Sequence, residues 1–502
     1  MGDQFFLGLD IGTSGVKAIL VSRSGEVAAT STTPLTMSTP RPGWAEQDPA
    51  AWWDATLESI HAIRRARPDA AVAAVGISGQ MHSSVFLDRA GIVIRPALLW
   101  CDGRTTAECA EITRAVGGEE RLRDLACNPA LEGFTLPKVL WLRKNEPEAY
   151  ARLATVLLPK DYIRYRLTGV LATDPSDASA TLMYDTARLR WSDDILAAVN
   201  VSRSIVPDVG GSAEVLGRIT SDAASVTTLP PGTPVVGGGA DNACGAAGVG
   251  AITPGEVVSS WGTSGTVLAP TSEPRVDPGL RAHTFCHVVP GVWYMMGVVL
   301  SAGGAFAWYR DQFAREIGNQ DEAARMLDAE ADSVRAGANG VTFLPYLQGE
   351  RTPHRDAAAR GAFLGLSLAH TRAHMTRAVL EGVAFALRDS LTILQDLGLS
   401  PSHLLLTGGG AKSPFLRKLQ AEVFGLPVTT VNREEGPAYG AALLAAVGVQ
   451  AFPDVATAAS STLTRAALNY PEPGAHLAYS DPYERFRASY RAARPDLLSV
   501  TQ

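Results

Sequence analysis

The chain alternates short apolar runs with amphipathic stretches, and several of the runs end in a carboxylate or in glycines. Phe5 to Leu9 is a strand-length run closed by Asp10. Ile11-Gly12-Thr13-Ser14-Gly15 has turn chemistry, and Val16 to Val21 reads as a second strand. The pair predicts a β-hairpin with an acid and a Gly/hydroxyl turn at one end. Asp48 followed by Pro49 predicts a helix start that carries Trp52 and Trp53. Val72 to Ser78 predicts a strand running into Gly79-Gln80-Met81-His82, and Ala97 to Trp100 a shorter one. Leu153 to Leu158 is a further apolar run, ahead of a helix that ends at Thr168-Gly169. Strand and helix patterns in alternation predict α/β architecture.

Two later segments repeat the strand-then-glycine pattern. Val235-Val236 leads through Gly237-Gly238-Gly239-Ala240 to Asp241 and Asn242. Leu404 to Leu406 leads through Thr407 to Gly408-Gly409-Gly410. Ser413 and Pro414 then start a helix with Phe415, Leu416, Leu419 and Val423 on one face, stopped by Gly425 and Pro427. Gly12-Thr13-Ser14-Gly15 recurs as Gly262-Thr263-Ser264-Gly265, an offset of 250 residues in a chain of 502. An echo at half the chain length fits two related halves, with a boundary at residues 246–256 and units spanning 1–250 and 251–502.

Composition narrows the function classes. Hydrophobic residues make up 46% and charged residues 19%, which excludes wholesale disorder. A net charge of −7 argues against a nucleic-acid protein, which needs a basic face. No apolar run reaches membrane-spanning length, and Phe5 to Leu9 is too short for a signal peptide. Cys101, Cys109, Cys127, Cys244 and Cys286 are odd in number and form no CxxC pair, so free thiols in a reducing cytoplasm are expected.

No Gly-Lys dipeptide and no GxGxxG occur, so a nucleotide would be held by other loops. The two Gly-Thr-Ser-Gly turns and the Gly408-Gly409-Gly410 loop are the candidates, since glycine turns let backbone N–H groups converge on an anion. Each also reads as an ordinary tight connection. Asp10 and Asp241 are strand-end acids, one per glycine turn, and an acid in that place carries a desolvation cost that packing does not require. Such a pair suits phosphoryl transfer, one anchoring Mg²⁺ and the other taking the proton of an attacking hydroxyl. A helix cap is the alternative for Asp241. His283 and His287 on one strand face, and His370 and His374 on a helix, lack the partners of a metal site. His82, after a strand, sits where substrates are met.

Taken together the motifs resemble the FGGY carbohydrate kinases, from Gly8 almost to Ala445. Gly133-Phe134-Thr135-Leu136-Pro137-Lys138 is similar to the N-terminal signature, and Gly361-Ala362-Phe363-Leu364-Gly365 through Glu381-Gly382 to the C-terminal one. Gly79 to His82, Leu99 to Arg104, Leu158 to Tyr162 and Gly349 to His354 add sugar-class markers.

The resemblance implies two actin-like (ribonuclease-H-like) ATPase domains with an active-site cleft between them. It implies ATP-dependent phosphorylation of D-xylulose to D-xylulose 5-phosphate, with Asp241 as base and Asp10 on Mg²⁺. Thr13, Ser14, Gly262, Thr263 and Ser264 would meet the phosphates. Gly409, Gly410 and Ser413 would hold the adenosine, with Trp308 beside the adenine. Gln80, Met81, His82, Asp102, Arg104 and Asn242 would meet the sugar. Ser83 and Cys101 depart from the usual pattern beside the sugar, so a sister kinase of another ketopentose, a polyol or gluconate stays open. So does a non-catalytic sugar- and ATP-binding regulator. The expected partners are small molecules alone, without nucleic acid or membrane, in a monomer or homodimer.

Overall fold

Each Gly-Thr-Ser-Gly turn closes the first hairpin of its own mixed sheet. In the computed structural model, which describes residues 4–433 and 435–493, the first sheet contains β1 (Gln4–Ile11), β2 (Gly15–Ser22), β3 (Val27–Pro34), β4 (Ala71–Gly79), β5 (Val215–Arg218), β6 (Pro234–Val236) and β7 (Gly239–Ala240). The strand order is β5-β6-β4-β1-β2-β3, with β7 beside β4. The second sheet contains β8 (Val257–Trp261), β9 (Gly265–Thr271), β10 (His283–Cys286), β11 (Trp293–Val299), β12 (Leu404–Gly408) and β13 (Val428–Thr429), in the order β10-β11-β9-β8-β12-β13. In both sheets the opening strand runs antiparallel to its hairpin partner and parallel to a strand that arrives much later. This is the duplicated α/β architecture expected from the sequence.

Local signals explain the main helices: α1 (Pro49–Ala66), α2 (Pro159–Thr168), α3 (Pro175–Ser179), α4 (Asp241–Gly248), α5 (Gly303–Phe313), α6 (Pro414–Phe424) and α7 (Pro437–Gly448). Asp48 accepts the Ala50 N–H at 2.9 Å and Pro49 opens α1, whose Trp52 and Trp53 are buried. Gly169 and Gly425, at φ 74° and 67°, end α2 and α6 in the left-handed conformation. The run from Leu153 to Leu158 yields only a three-residue strand, Thr155–Leu157, because Leu153 still closes the helix before it. Among the described residues no helix is long and apolar enough to cross a membrane.

The strands of the first sheet all precede residue 250 and those of the second all follow it, yet α7 crosses back and packs on β1 and β4. A single cut at 250/251 therefore does not divide the packing. The contact requires bare backbone. A Cβ on Gly8 would lie 2.1 Å from the Ala438 carbonyl oxygen, and one on Gly76 would lie 1.9 Å from that of Ala441. Helix α7 also presses on α4, where a Cβ on Gly440 would lie 1.9 Å from the carbonyl oxygen of Cys244. Gly440→Val should therefore destabilise the fold by at least ~1–3 kcal/mol, the usual cost of overpacking. Urea unfolding checks this; an unchanged midpoint would mean the two helices separate freely.

Candidate active site

Strand alternation sends Leu9 and Ile11 into the core and turns Asp10 to the opposite face. Across the hairpin its register partner is Lys17. Asp10 is half-buried, and its Oδ1 is enclosed without a hydrogen-bond partner among the described residues. Desolvation and the charge of Asp241 push its carboxyl up to about 7, against the pull of Lys17. Asp241 opens α4 and is not its cap, since Ala240 holds that position. Its Oδ1 accepts the Asn242 N–H at 2.8 Å and the Asn242 Nδ2 at 3.0 Å. Desolvation lifts Asp241 to about 6 in spite of those bonds.

A buried network sets the strand end that delivers Asp241. The Ala240 N–H donates to Ser176 Oγ at 2.9 Å, and that hydroxyl donates to Asp174 at 2.6 Å. Lys160 Nζ lies 2.6 Å from Asp161, 3.0 Å from Asp174 and 3.2 Å from Asp177. Arg164 Nη1 donates to the Gly237 carbonyl at 3.0 Å. Replacing such a charge cluster by apolar groups rarely costs stability, so its value lies in fixing geometry.

A cavity of about 1030 Å³ opens between the two sheets. Lys17, Asp241 and Asn242 line one side, and Gly408, Gly409 and Lys412 the other. Gly12 N–H donates to the Gly15 carbonyl at 3.0 Å, whereas Gly262 N–H donates to the Ser264 carbonyl at 3.1 Å. The two identical quartets thus close differently. In both turns the Thr and Ser N–H groups (residues 13, 14, 263 and 264) have no acceptor among the described residues, the arrangement of an anion nest. The second turn is docked on the start of α5, where Gly303 and Gly304 donate to the carbonyls of Gly262 and Thr263.

Beyond Asp241, Met81 Sδ lies 3.5 Å from Asn242 Nδ2. His82 adopts φ 70°, held by Thr135 Oγ1 and Lys138 Nζ donating to its carbonyl at 3.0 and 3.1 Å. Its Nδ1 donates to the Ala180 carbonyl at 2.7 Å, so Nε2 is a pure acceptor. Phe134 and Phe285 flank the ring at 4.5 and 5.7 Å. His283 Nδ1 lies 3.0 Å from Asn128 Oδ1, and His283 stacks on Phe285. Strand β10 of the second sheet thus supplies part of the wall beside His82.

Several of the expected site residues already have partners within the protein. Gln80 Oε1 accepts from Thr13 and Ser83, and its Nε2 donates to Gln47 and Gly12, so it buttresses the first turn. Asp102 and Arg104 form a buried forked pair, with Arg104 also on Glu46 and over the Trp44 ring at 3.6 Å. Thr13 Oγ1 is held between Gln80 and Trp100. Ser413 caps α6 through the Leu416 N–H and donates to Asp328 at 2.6 Å. Gly410 is buried against Trp261, and Trp308, 38% exposed and stacked on Phe343, is not among the cavity's walls. Lys17 lies outside the motifs above, and Lys138 and Lys160 lie within them without a role assigned to either. Hairpin register alone would have placed Lys17 opposite Asp10.

Burial holds His82 well below the usual histidine range, and brings His283 to about 3 and His287 to about 4. The unfolded chain therefore binds protons near pH 6.5 that the native protein refuses, so stability is present above that pH and falls on acidification below it. NMR should show the His82 ring neutral and untitrated from pH 8 down to 5.5. A titration midpoint near 6.5 would mean the ring is hydrated.

Comparison with known proteins extends what the geometry suggests. Residues 5–248 match the model of the FGGY family of carbohydrate kinases, N-terminal domain, and residues 257–449 the C-terminal domain. The xylulose kinase of Klebsiella pneumoniae is 41% identical, covering 88% of this chain and 90% of the relative. The crystal structure of xylulose kinase from Rhodospirillum rubrum superposes with a TM-score of 0.89 at 34% identity, covering 98% of this chain and 99% of that one. That of gluconate kinase from Lactobacillus acidophilus gives 0.92 at 26% identity, covering 99% of each. With both halves matched in order, the chain belongs to the FGGY family of carbohydrate kinases.

Proposed function

We propose that this carbohydrate kinase transfers the γ-phosphoryl group of ATP to D-xylulose, giving D-xylulose 5-phosphate. The observation that carries the reading is Asp241. Desolvation lifts its carboxyl to about 6, both hydrogen bonds from Asn242 fall on Oδ1, and it lines a cavity shared with the glycine loop of the second sheet. The full-length xylulose kinase relatives fix the choice of sugar. Units of residues 1–250 and 251–502, with α7 returning to the first, form the cleft. Five unpaired cysteines fit a reducing cytoplasm.

In this reading Oδ2 of Asp241 accepts the proton of the C5 hydroxyl as that oxygen bonds to the γ-phosphorus and the bond to the β–γ bridging oxygen breaks, releasing ADP. Asn242 holds the other carboxylate oxygen and so fixes the orientation of the base. The unpaired amides of the two turns and the Lys17 ammonium face the phosphates and offset the charge developing there. Asp10, with an enclosed oxygen lacking any donor and a second acid nearby, fits a divalent cation. Mg²⁺ held by Asp10 would supply neutralisation of phosphate charge. Met81, His82 and the Phe134 and Phe285 rings enclose the sugar, with Nε2 of His82 accepting from a hydroxyl. Gly409 faces the nucleotide. Retention of both acids speaks against a regulator without catalysis.

ADP release measured across D-xylulose, other pentuloses, glycerol and gluconate tests the substrate. A larger kcat/KM for gluconate than for D-xylulose would replace the sugar and keep the chemistry. Asp241→Asn should lower kcat at least ~10²-fold, the scale of a lost general base, while ATP still binds. Retention of a tenth of the wild-type rate would remove Asp241 from that role. Asp10→Ala should abolish turnover while calorimetric affinity for D-xylulose is kept. Loss of both together would assign Asp10 to the sugar pocket.

A further inference from the structure

Arg351 extends from a segment that is rigidly pinned to the second sheet. Glu350 Oε1 accepts the N–H groups of Leu300 and Arg351 at 3.0 and 2.8 Å. The Thr352 N–H donates to the Val298 carbonyl at 3.0 Å, while Thr352 Oγ1 accepts the Val298 N–H at 3.0 Å and donates to Arg281 at 2.8 Å. The backbone on both sides of Arg351 is therefore fixed, but its side chain is not. Among the described residues the guanidinium has neither a hydrogen bond nor an ion pair. Its one marked contact is with the Trp100 ring, whose centroid lies 6.0 Å away.

The surroundings of that side chain belong to the first sheet's end of the cleft. Nη2 lies 2.9 Å from where a Cβ on Gly133 would stand, so the absent side chain at Gly133 leaves room for it. Its charge is felt by His82, Lys138 and Cys101, and by His283 on β10. Glu132 and Glu350 attract it without pairing, and desolvation lowers its pKa. An arginine has five donors, and leaving them unpaired in a confined pocket carries a large desolvation cost unless a ligand or water meets them. The neighbouring His82 offers the complement, since with Nδ1 donating to Ala180 its Nε2 can only accept.

We propose that Arg351 is a sugar-binding residue: reaching from the second unit, it donates to a neutral oxygen of the ketose, while His82 of the first unit accepts from a hydroxyl. The sugar site then spans both sheets, and specificity for the acceptor is set partly by the unit that carries the glycine loop. This rests on the sugar-kinase reading and adds the residue that bridges the two units to the sugar.

The test compares Arg351→Met and Arg351→Lys with wild type in calorimetry with D-xylulose and no nucleotide, in steady-state kinetics, and in thermal melts. If the ADP-release panel shows that wild type prefers another sugar, that sugar is titrated instead, so an error in the sugar and an error about Arg351 are told apart. Arg351→Met should weaken sugar binding at least ~10-fold, as expected for a lost charged hydrogen bond, with the KM for ATP unchanged. Its melting temperature should not fall, because the guanidinium has no hydrogen bond or ion pair to lose and lies 6.0 Å from the Trp100 centroid, while removing it relieves an unpaired desolvated charge. Arg351→Lys should recover part of the affinity. Unchanged sugar affinity would overturn the proposal. So would an ATP KM that rises as much as the sugar's, which places Arg351 on a phosphate, or a lowered melting temperature with both affinities reduced, which makes it structural.

Discussion

Helices α4 and α7 approach so closely that main chain meets main chain at several glycines, with small side chains filling in between. Gly440 lies on the Cys244 carbonyl, Gly248 is pressed by the carbonyl of Gly436, and Gly8 and Gly76 lie under α7. The spacing of α4 and α7 over the first sheet is thus set largely by van der Waals contact of main chains and small side chains. Asp241 is the first residue of α4, and α7 starts at the cavity wall beside Gly436 and Pro437. Asp241 and this part of the cavity wall thus share one mechanical reference.

Electrostatics supplies the second constraint. Both acids of the cleft have raised proton affinities, chiefly through desolvation, and for Asp10 through Asp241 as well. Behind them the Lys160 cluster is fully enclosed, and its hydrogen bonds reach the amide of Ala240 and the carbonyl of Gly237. Charge is concentrated where backbone must be held still, and left unpaired where a ligand is to arrive.

Much of this was legible in the chain. Hairpins, caps and glycine stops follow from local chemistry, so β1, β2, α1 and α6 could be drawn from sequence, and the strand-end acids stood out because packing does not call for them. The finer assignments depended on partners that no spacing encodes. Gln80, Asp102, Arg104 and Ser413 carry polar groups in the right motifs, but each is paired within the protein by residues distant in sequence, such as Gln47, Glu46 and Asp328. Trp308 is named only through the resemblance, and its stacking on Phe343 is a contact that spacing does not encode. The return of α7 to the first sheet was hidden because small residues leave no periodic signature of what they touch.

The two halves are alike in topology but not in charge. Two residues before the first turn stands Asp10, and two residues before the second stands Ser260, on the strand that faces it across the cleft. Only one wall therefore carries an anion at that position. The walls between them are unequal, with acids and Lys17 toward the first sheet and Lys412 and Arg417 toward the second. A bound ion is drawn off the midline toward one lobe, and a ligand that couples a cation to a polyanion has a preferred direction of entry. Ancestral symmetry of the backbone is thereby turned into a vector, and the two lobes cannot exchange roles.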